Sequence, residues 1–300
     1  MKYDLAVVGY IVLDYISHGR KVTGPLLGGP SIYASLAARA LGASVLVVST
    51  VGYDFDKKKF EWLRSHGITT TNIRTSPLPT TSFKIHYRNG DRTMSVDSVC
   101  ERLKENDASR FTSTSVHIGP VLQEVPLRLA LKLRERTELM SVDPQGYVRT
   151  RLRNGTIKRS HWRTVSMLRK TDVLKISESE VTGILGTKPS PRKLLKLGPR
   201  IVLLTKGKEG VTLLSRDEGE FFLPAYKTNV IDPTGAGDAL VGAFLFSWKR
   251  TGDLLWSAAL GAAVASFVVE GFGPANFGTP REIRSRAQVV MEQSRRIVSS

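Results

Sequence analysis

The stretch Val230–Phe246, VIDPTGAGDALVGAFLF, sets a proline and two glycines ahead of an acid and a long apolar run. Pro233 disfavours helix at Asp232 and fixes its own φ, while Gly235 and Gly237 lack a Cβ and let a ligand approach the backbone. The helix predicted from there starts with unpaired N–H groups at Gly235, Ala236 and Gly237, which together with the helix dipole suit an anion such as a phosphoryl group. Asp238 projects from the same turn. A carboxylate beside an anion is repelled unless something between them has a proton to give, and a substrate hydroxyl fits that gap. The pattern predicts phosphoryl transfer to an alcohol, with Asp238 as the general base. Without companions, the same acid would only complement the dipole of an ordinary helix start.

Positioning these residues falls to the surrounding elements. LAVVGYIVLDYI reads as one inner strand of a parallel sheet, and GGPSIYASLAARALGA as a turn and helix. SVLVVSTVG and KKKFEWLRSHGI add a second strand and helix, the helix with Phe60, Leu63 and, less regularly, Trp62 on its apolar face. From Thr80 to Val99 the pattern changes to alternation, with Phe83, Ile85 and Tyr87 on one face and NGD as a hairpin turn. This hairpin stands outside the parallel layer, as a flap over a ligand would. The β/α alternation resumes at SVHIGPV and runs to VTLLS, and two apolar helices around KRTGD close the chain. Right-handed crossovers then give an α/β, doubly wound, mostly parallel sheet with helices on both faces.

Composition bounds the partners. The 300 residues are 41% hydrophobic, enough for one large core or two modest ones. Cys100 is the single cysteine, and Asp4 and Asp14 interrupt the N-terminal apolar stretch where a signal peptide needs continuity, so a cytoplasmic protein is expected. Leu254–Val269 is uncharged but suits a helix buried in protein better than a bilayer span. A net charge of +17 attracts polyanions, and Arg149–Lys170 is the densest basic stretch, with Trp162 among its charges. A nucleic-acid-binding protein on a degenerate kinase scaffold is the reading from a different class. NGT at the centre of the stretch reads instead as a hairpin turn, and no nucleic-acid-binding signature accompanies it. TKGKEG is no P-loop, since it lacks the spacing and the Ser or Thr after the lysine.

DPTGAGD resembles the second signature of the ribokinase-like carbohydrate kinases, the PfkB family, whose usual form is D-T-x-G-A-G-D. VVGYIVLDYI is similar to that family's first strand and substrate-binding aspartate, LLGGPSIYASLAARALG to its double-glycine segment, and LLTKGKEGV to its nucleotide-proximal strand and turn. The matches keep the family's order from about residue 5 to about residue 277. The resemblance implies a ribokinase-like domain over 1–300, with a small β lid contributed by about 10–25 and 80–100. It also implies Mg²⁺- and ATP-dependent transfer of the γ-phosphoryl group to a sugar, polyol or nucleoside, with Asp238 as base and the 235–237 backbone as anion hole. In ISESE, Glu180 matches the acid of the family's N-x-x-E motif and would act on Mg²⁺ through water, with Ser177 in place of the asparagine. Thr205, Gly207 and Gly210 would lie on the nucleotide side, Asn276 near the purine, and Asp232 and Thr234 around a monovalent cation such as K⁺. The family's lid often forms a dimer interface, which makes a homodimer through the lid the expectation here.

The acceptor is addressed by three stretches. Kinases of this family that act on ribose or nucleosides usually carry an asparagine where this sequence has Tyr33, which argues against a ribose-like pocket. HIGPVLQEV followed by DPQGYVR resembles the branch with myo-inositol kinases, so a cyclic polyol is expected. On that reading Asp14 accepts hydrogen bonds from substrate hydroxyls, Gly28 and Gly29 admit the ring close to the backbone, Gln145 donates and accepts, and Arg149 reaches the transferring charge. Nucleoside, fructose-type and 2-keto-3-deoxygluconate kinases are the alternatives within the family.

Overall fold

The N-terminal run that reads as one strand divides in two. In the computed structural model, which describes residues 2–18, 21–88, 91–109, 111–162, 165–186 and 190–297, β1 (Lys2–Val8) ends before Gly9. A Cβ at Gly9 would lie 2.2 Å from the Gly119 carbonyl oxygen, so only glycine lets the chain cross there. β2 (Val12–His18) and β3 (Lys21–Gly28) then leave the layer of β1, and α1 (Pro30–Ala40) returns to it. Hydrophobic periodicity cannot mark this break, because both segments are buried and apolar.

β4 (Val45–Val51), α2 (Lys57–Ser65) and β5 (Ile68–Thr75) follow as a β-α-β unit, and β6 (Ser82–Arg88) and β7 (Asp91–Ser98) form the predicted hairpin. Its Asn89–Gly90 turn lies outside the described residues. The alternation resumes with β8 (Thr112–Ile118), α3 (Leu127–Arg134) and β9 (Thr137–Val142). Next comes a small hairpin, β10 (Arg149–Arg151) and β11 (Ile157–Arg159), turning through Asn154 and Gly155 as NGT predicts. β12 (Val173–Ser177) leads through the short helices α4 (Val181–Leu185) and α5 (Arg192–Lys196) to β13 (Ile201–Thr205). β14 (Gly210–Ser215) and β15 (Gly219–Pro224) turn back antiparallel. The chain ends with α6 (Ala236–Thr251), α7 (Leu254–Val268), α8 (Pro280–Glu292) and a two-residue β16 (Arg295–Arg296).

Ten strands form one sheet in the order β16-β15-β14-β13-β12-β9-β8-β1-β4-β5, parallel from β13 to β5. An inner strand such as β4, VLVVSTV, is buried along its whole length because both sides of the sheet are covered, whereas the edge strand β5, ITTTNIRT, is mostly polar. In β1, Leu5 and Val7 face the core under α1, α6, α7 and α8, while Ala6 and Val8 face the opposite core with Leu129 and Leu133 of α3. A second sheet, ordered β3-β2-β6-β7, lies outside this layer, and its Val12, Ile16, Phe83, Ile85 and Val96 join the core that holds Ala6 and Val8. Among the described residues no helix is long and apolar enough to cross a membrane.

Candidate active site

Two glycines at the start of α6 make room for the protein's own side chains as well as for a ligand. Gly235 has φ 81°, a conformation that costs little only for glycine, and a Cβ there would fall 2.3 Å from the buried Tyr33 ring. A Cβ on Gly237 would fall 2.8 Å from Lys175 Nζ. Among the described residues the N–H groups of Gly235 and Gly237 donate to no protein acceptor, whereas Ala236 N–H donates to the Pro233 carbonyl at 3.3 Å. The free donors of the predicted anion hole are therefore the two glycines. Gly242 fixes the height of α6: a Cβ there would lie 2.1 Å from the Ala34 carbonyl oxygen of α1.

Asp238, only 8% exposed, sits in that first turn. Burial pushes its carboxyl up to about 7, against the pull of Lys175 and Arg149, and Asp143 and Glu180 add to the rise. A base poised near neutrality suits proton abstraction at physiological pH. Lys175 was not singled out in the sequence. Its Nζ donates to Asp143 Oδ2 at 2.6 Å, with side chains 6% and 0% exposed, and Asp143 Oδ1 accepts from the Gln145 N–H at 2.9 Å. Burial pulls the Lys175 ammonium down, but Asp143, Asp238 and Glu180 outweigh it and hold it above the ordinary lysine value. The one signal in the sequence was a lysine in the otherwise apolar strand VLKIS.

Asp14 reaches the site from β2 of the second sheet rather than from the end of a central strand. A Cβ on Gly28 would fall 2.1 Å from Asp14 Oδ2, so Gly28 makes space for the carboxylate itself. Asp14 and Asp238 line one cleft of about 280 Å³, together with Gly29, Tyr33, Gln145, Arg149, Thr205, Thr234 and Lys175. Phe83, Ile85 and Met94 of the second sheet supply its apolar wall. The face expected to be available for a dimer is buried against this cleft within the same chain: Phe83 and Ile85 are 3% and 1% exposed. Tyr87 ties the second sheet to the loop before α6, its hydroxyl donating to Asp232 Oδ1 at 2.7 Å.

Glu124, also missed in the sequence, is wholly buried and accepts from the N–H groups of Tyr10, Val121 and Leu122, fixing the loop that carries Val121 into the cleft. Asp232 is buried, with Oδ1 accepting from Thr234 N–H and Oγ1 while Oδ2 has no partner among the described residues. Ser177, Glu180, Gly207, Gly210 and Asn276 are not among the residues lining the cleft. Glu180 closes a capping box on the Ser177 N–H at 3.0 Å, yet it remains buried and within electrostatic reach of Lys175 and Asp238. Gly210 has a packing reason, since a Cβ there would lie 2.1 Å from the Leu223 carbonyl oxygen. Asn276 is exposed and its Oδ1 accepts from the Gly278 N–H.

Comparison with known proteins follows the same lines. Residues 25–281 match the model of the pfkB family carbohydrate kinases. A cytidine kinase of Thermococcus kodakarensis is 28% identical over 286 residues, covering 90% of this chain and 97% of its own length. An ATP-dependent 6-phosphofructokinase of Thermoanaerobacterium thermosaccharolyticum is 28% identical over 294 residues, covering 91% of this chain and 89% of its own. Among solved structures, a pyrophosphate-dependent kinase of the ribokinase family, complexed with a pyrophosphate analog and myo-inositol, has a TM-score of 0.81 at 24% identity, covering 94% of this chain and 99% of that one. The chain thus belongs to the pfkB family of carbohydrate kinases, phosphotransferases that act on sugars, nucleosides or polyols.

Proposed function

We propose that this kinase transfers the γ-phosphoryl group of ATP to a hydroxyl of a cyclic polyol, with myo-inositol as the first acceptor to try. One observation carries the reading: Asp14, Asp238, Arg149 and the free N–H groups of Gly235 and Gly237 converge on a single small cleft. Asp14 accepts hydrogen bonds from ring hydroxyls, Gln145 does both, and the wall of Phe83, Ile85 and Met94 packs on the ring's C–H face. At about 280 Å³ the cleft lies at the lower end of small-molecule pockets, which suits a single ring better than a nucleoside.

In the reaction, the acceptor oxygen forms a bond to the γ-phosphorus while its proton passes to Asp238. The bond from the γ-phosphorus to the bridging oxygen breaks, and ADP leaves with that electron pair. Charge on the transferring group meets the Gly235 and Gly237 N–H dipoles, Arg149 and the Lys175 ammonium.

Mg²⁺, when bound, neutralises donor phosphate charge. No group of three His, Cys, Asp or Glu able to hold a metal directly occurs among the described residues. A buried Glu180 acting through water fits that ion's habit of keeping its waters. The unpartnered, buried Oδ2 of Asp232 fits a monovalent cation held with Thr234. Thr205 is the donor-side residue that the cleft itself supports. The second sheet serves as a lid over the acceptor.

The runner-up acceptor is a nucleoside, favoured by the cytidine kinase at 28% identity. ADP release by the purified protein with Mg·ATP, measured on myo-inositol, ribose, fructose, 2-keto-3-deoxygluconate and cytidine, decides between them. Turnover on myo-inositol at least tenfold above the others supports the polyol. Turnover confined to cytidine would replace it. A parallel series with pyrophosphate in place of ATP tests the donor.

A further inference from the structure

Alternate residues of the same two segments line two cavities. Val121, Gln145 and Arg149 face the reaction cleft, while Gln123, Tyr147 and Thr150 line a second cavity of about 730 Å³, well within the size range of small-molecule sites. The Tyr147 and Trp162 rings stack in it, centroids 4.8 Å apart and planes 7° from parallel, with Trp162 only 8% exposed. Arg102, Lys158, Arg159 and His161 are the basic members of its lining, and all four are exposed. Among the described residues none of the four pairs with a carboxylate, and no acid lines the cavity. Arg102, Lys158 and Arg159, gathered without a counter-ion, repel one another, so an anion is the ligand that relieves them.

This lining is wired to the reaction cleft. Gln123 has φ 61°, the one positive φ outside glycine among the described residues, a strained conformation for a residue with a Cβ and one that clusters at functional loops. Its side-chain amide donates to the Arg149 carbonyl at 2.7 Å. The hairpin β10–β11, which brings Thr150, Lys158 and Arg159 to the cavity, also touches β7 of the second sheet: Val96 N–H donates to the Gly155 carbonyl at 2.9 Å, and Ser95 bridges Thr156.

The geometry points to a second binding site, for a small phosphate ester carrying a flat ring, whose occupancy adjusts Arg149 and the second sheet. The phosphate meets Lys158, Arg159 and Arg102, and the ring lies with the aromatic pair. A half-open pocket of bounded size with an aromatic wall matches a small ester better than the continuous track a nucleic acid needs.

AMP is the probe. Calorimetry on the full-length protein should show saturable AMP binding, and tryptophan fluorescence should be quenched in the wild type but not in Trp162→Phe. The double variant Lys158→Ala/Arg159→Ala should weaken AMP at least tenfold while kcat and KM without AMP stay within twofold; both side chains are exposed, so folding is not at risk. AMP should shift the acceptor KM at least twofold in the wild type and not in the double variant. AMP binding equally tight in the double variant would place it in the reaction cleft and overturn the site, as would no saturable binding. Binding of RNA or DNA through Lys158 and Arg159 without AMP binding would make the patch a nucleic-acid surface and overturn it too. AMP bound through these residues with an unchanged acceptor KM would overturn the coupling.

Discussion

Lys175 and Asp143 form an ion pair almost wholly withdrawn from water, and both charges reach Asp238. Such a pair is costly to desolvate and seldom justified by stability alone. Its place against the Gly237 backbone gives it work on the base and on the anion. Lys175 favours the ionised form of Asp238, so Lys175→Gln should move the acid limb of the pH–rate profile to higher pH and lower kcat about 10- to 100-fold. Asp143 opposes ionisation, so Asp143→Asn should move that limb to lower pH. Opposite displacements measured on kcat/KM would show charge at work, since a mere packing role predicts no such pair of shifts. At this scale the acids and glycines of DPTGAGD were legible because their spacing is local. Lys175 and Glu124 were not, because each acquires its role from partners 32 and 114 residues away.

The helix α6 carries the base and both free N–H donors, and its seat on α1 at Gly242 sets where they point. Gly242→Ala should force the two helices apart, lowering stability by about 1–3 kcal/mol. It should also reduce kcat by more than it changes the acceptor KM, read by thermal melts and steady-state kinetics. The β/α order, the β6–β7 hairpin and the NGT turn were readable from alternation and turn chemistry. The division of β1 from β2 was not, because two buried strands in succession look like one apolar run and the break depends on Gly119 across the sheet. Helix α8 was overlooked although Thr279, Pro280 and Glu282 spell its start: Thr279 Oγ1 caps the Glu282 N–H, and the Glu282 carboxylate returns to the Thr279 N–H.

Across the molecule, the second sheet, the double-glycine turn and α6 meet around one cleft, and Tyr87 on Asp232 is a polar tie between that sheet and the loop before α6. Tyr87→Phe removes one hydrogen bond, about 1 kcal/mol, so the acceptor KM should rise about fivefold with kcat within twofold. An unchanged KM would mean that the sheet's position does not depend on this contact. The net charge of +17 surrounds a site that must take an anionic donor, and the resulting attraction should fade with salt. The central claim, that Asp238 takes the proton of the acceptor hydroxyl, is tested most directly by kcat/KM against pH for the wild type and Asp238→Asn. Folding raises this carboxyl from its ordinary 3.8 to about 7, so the ionised side chain opposes folding above pH 7 and the asparagine variant should melt no lower at pH 8. The account predicts a wild-type profile that rises with pH to half its plateau near pH 7 and an Asp238→Asn variant, folded, at least about 10³-fold slower at every pH. A folded Asp238→Asn variant within tenfold of the wild type, with the same acid limb, would contradict it.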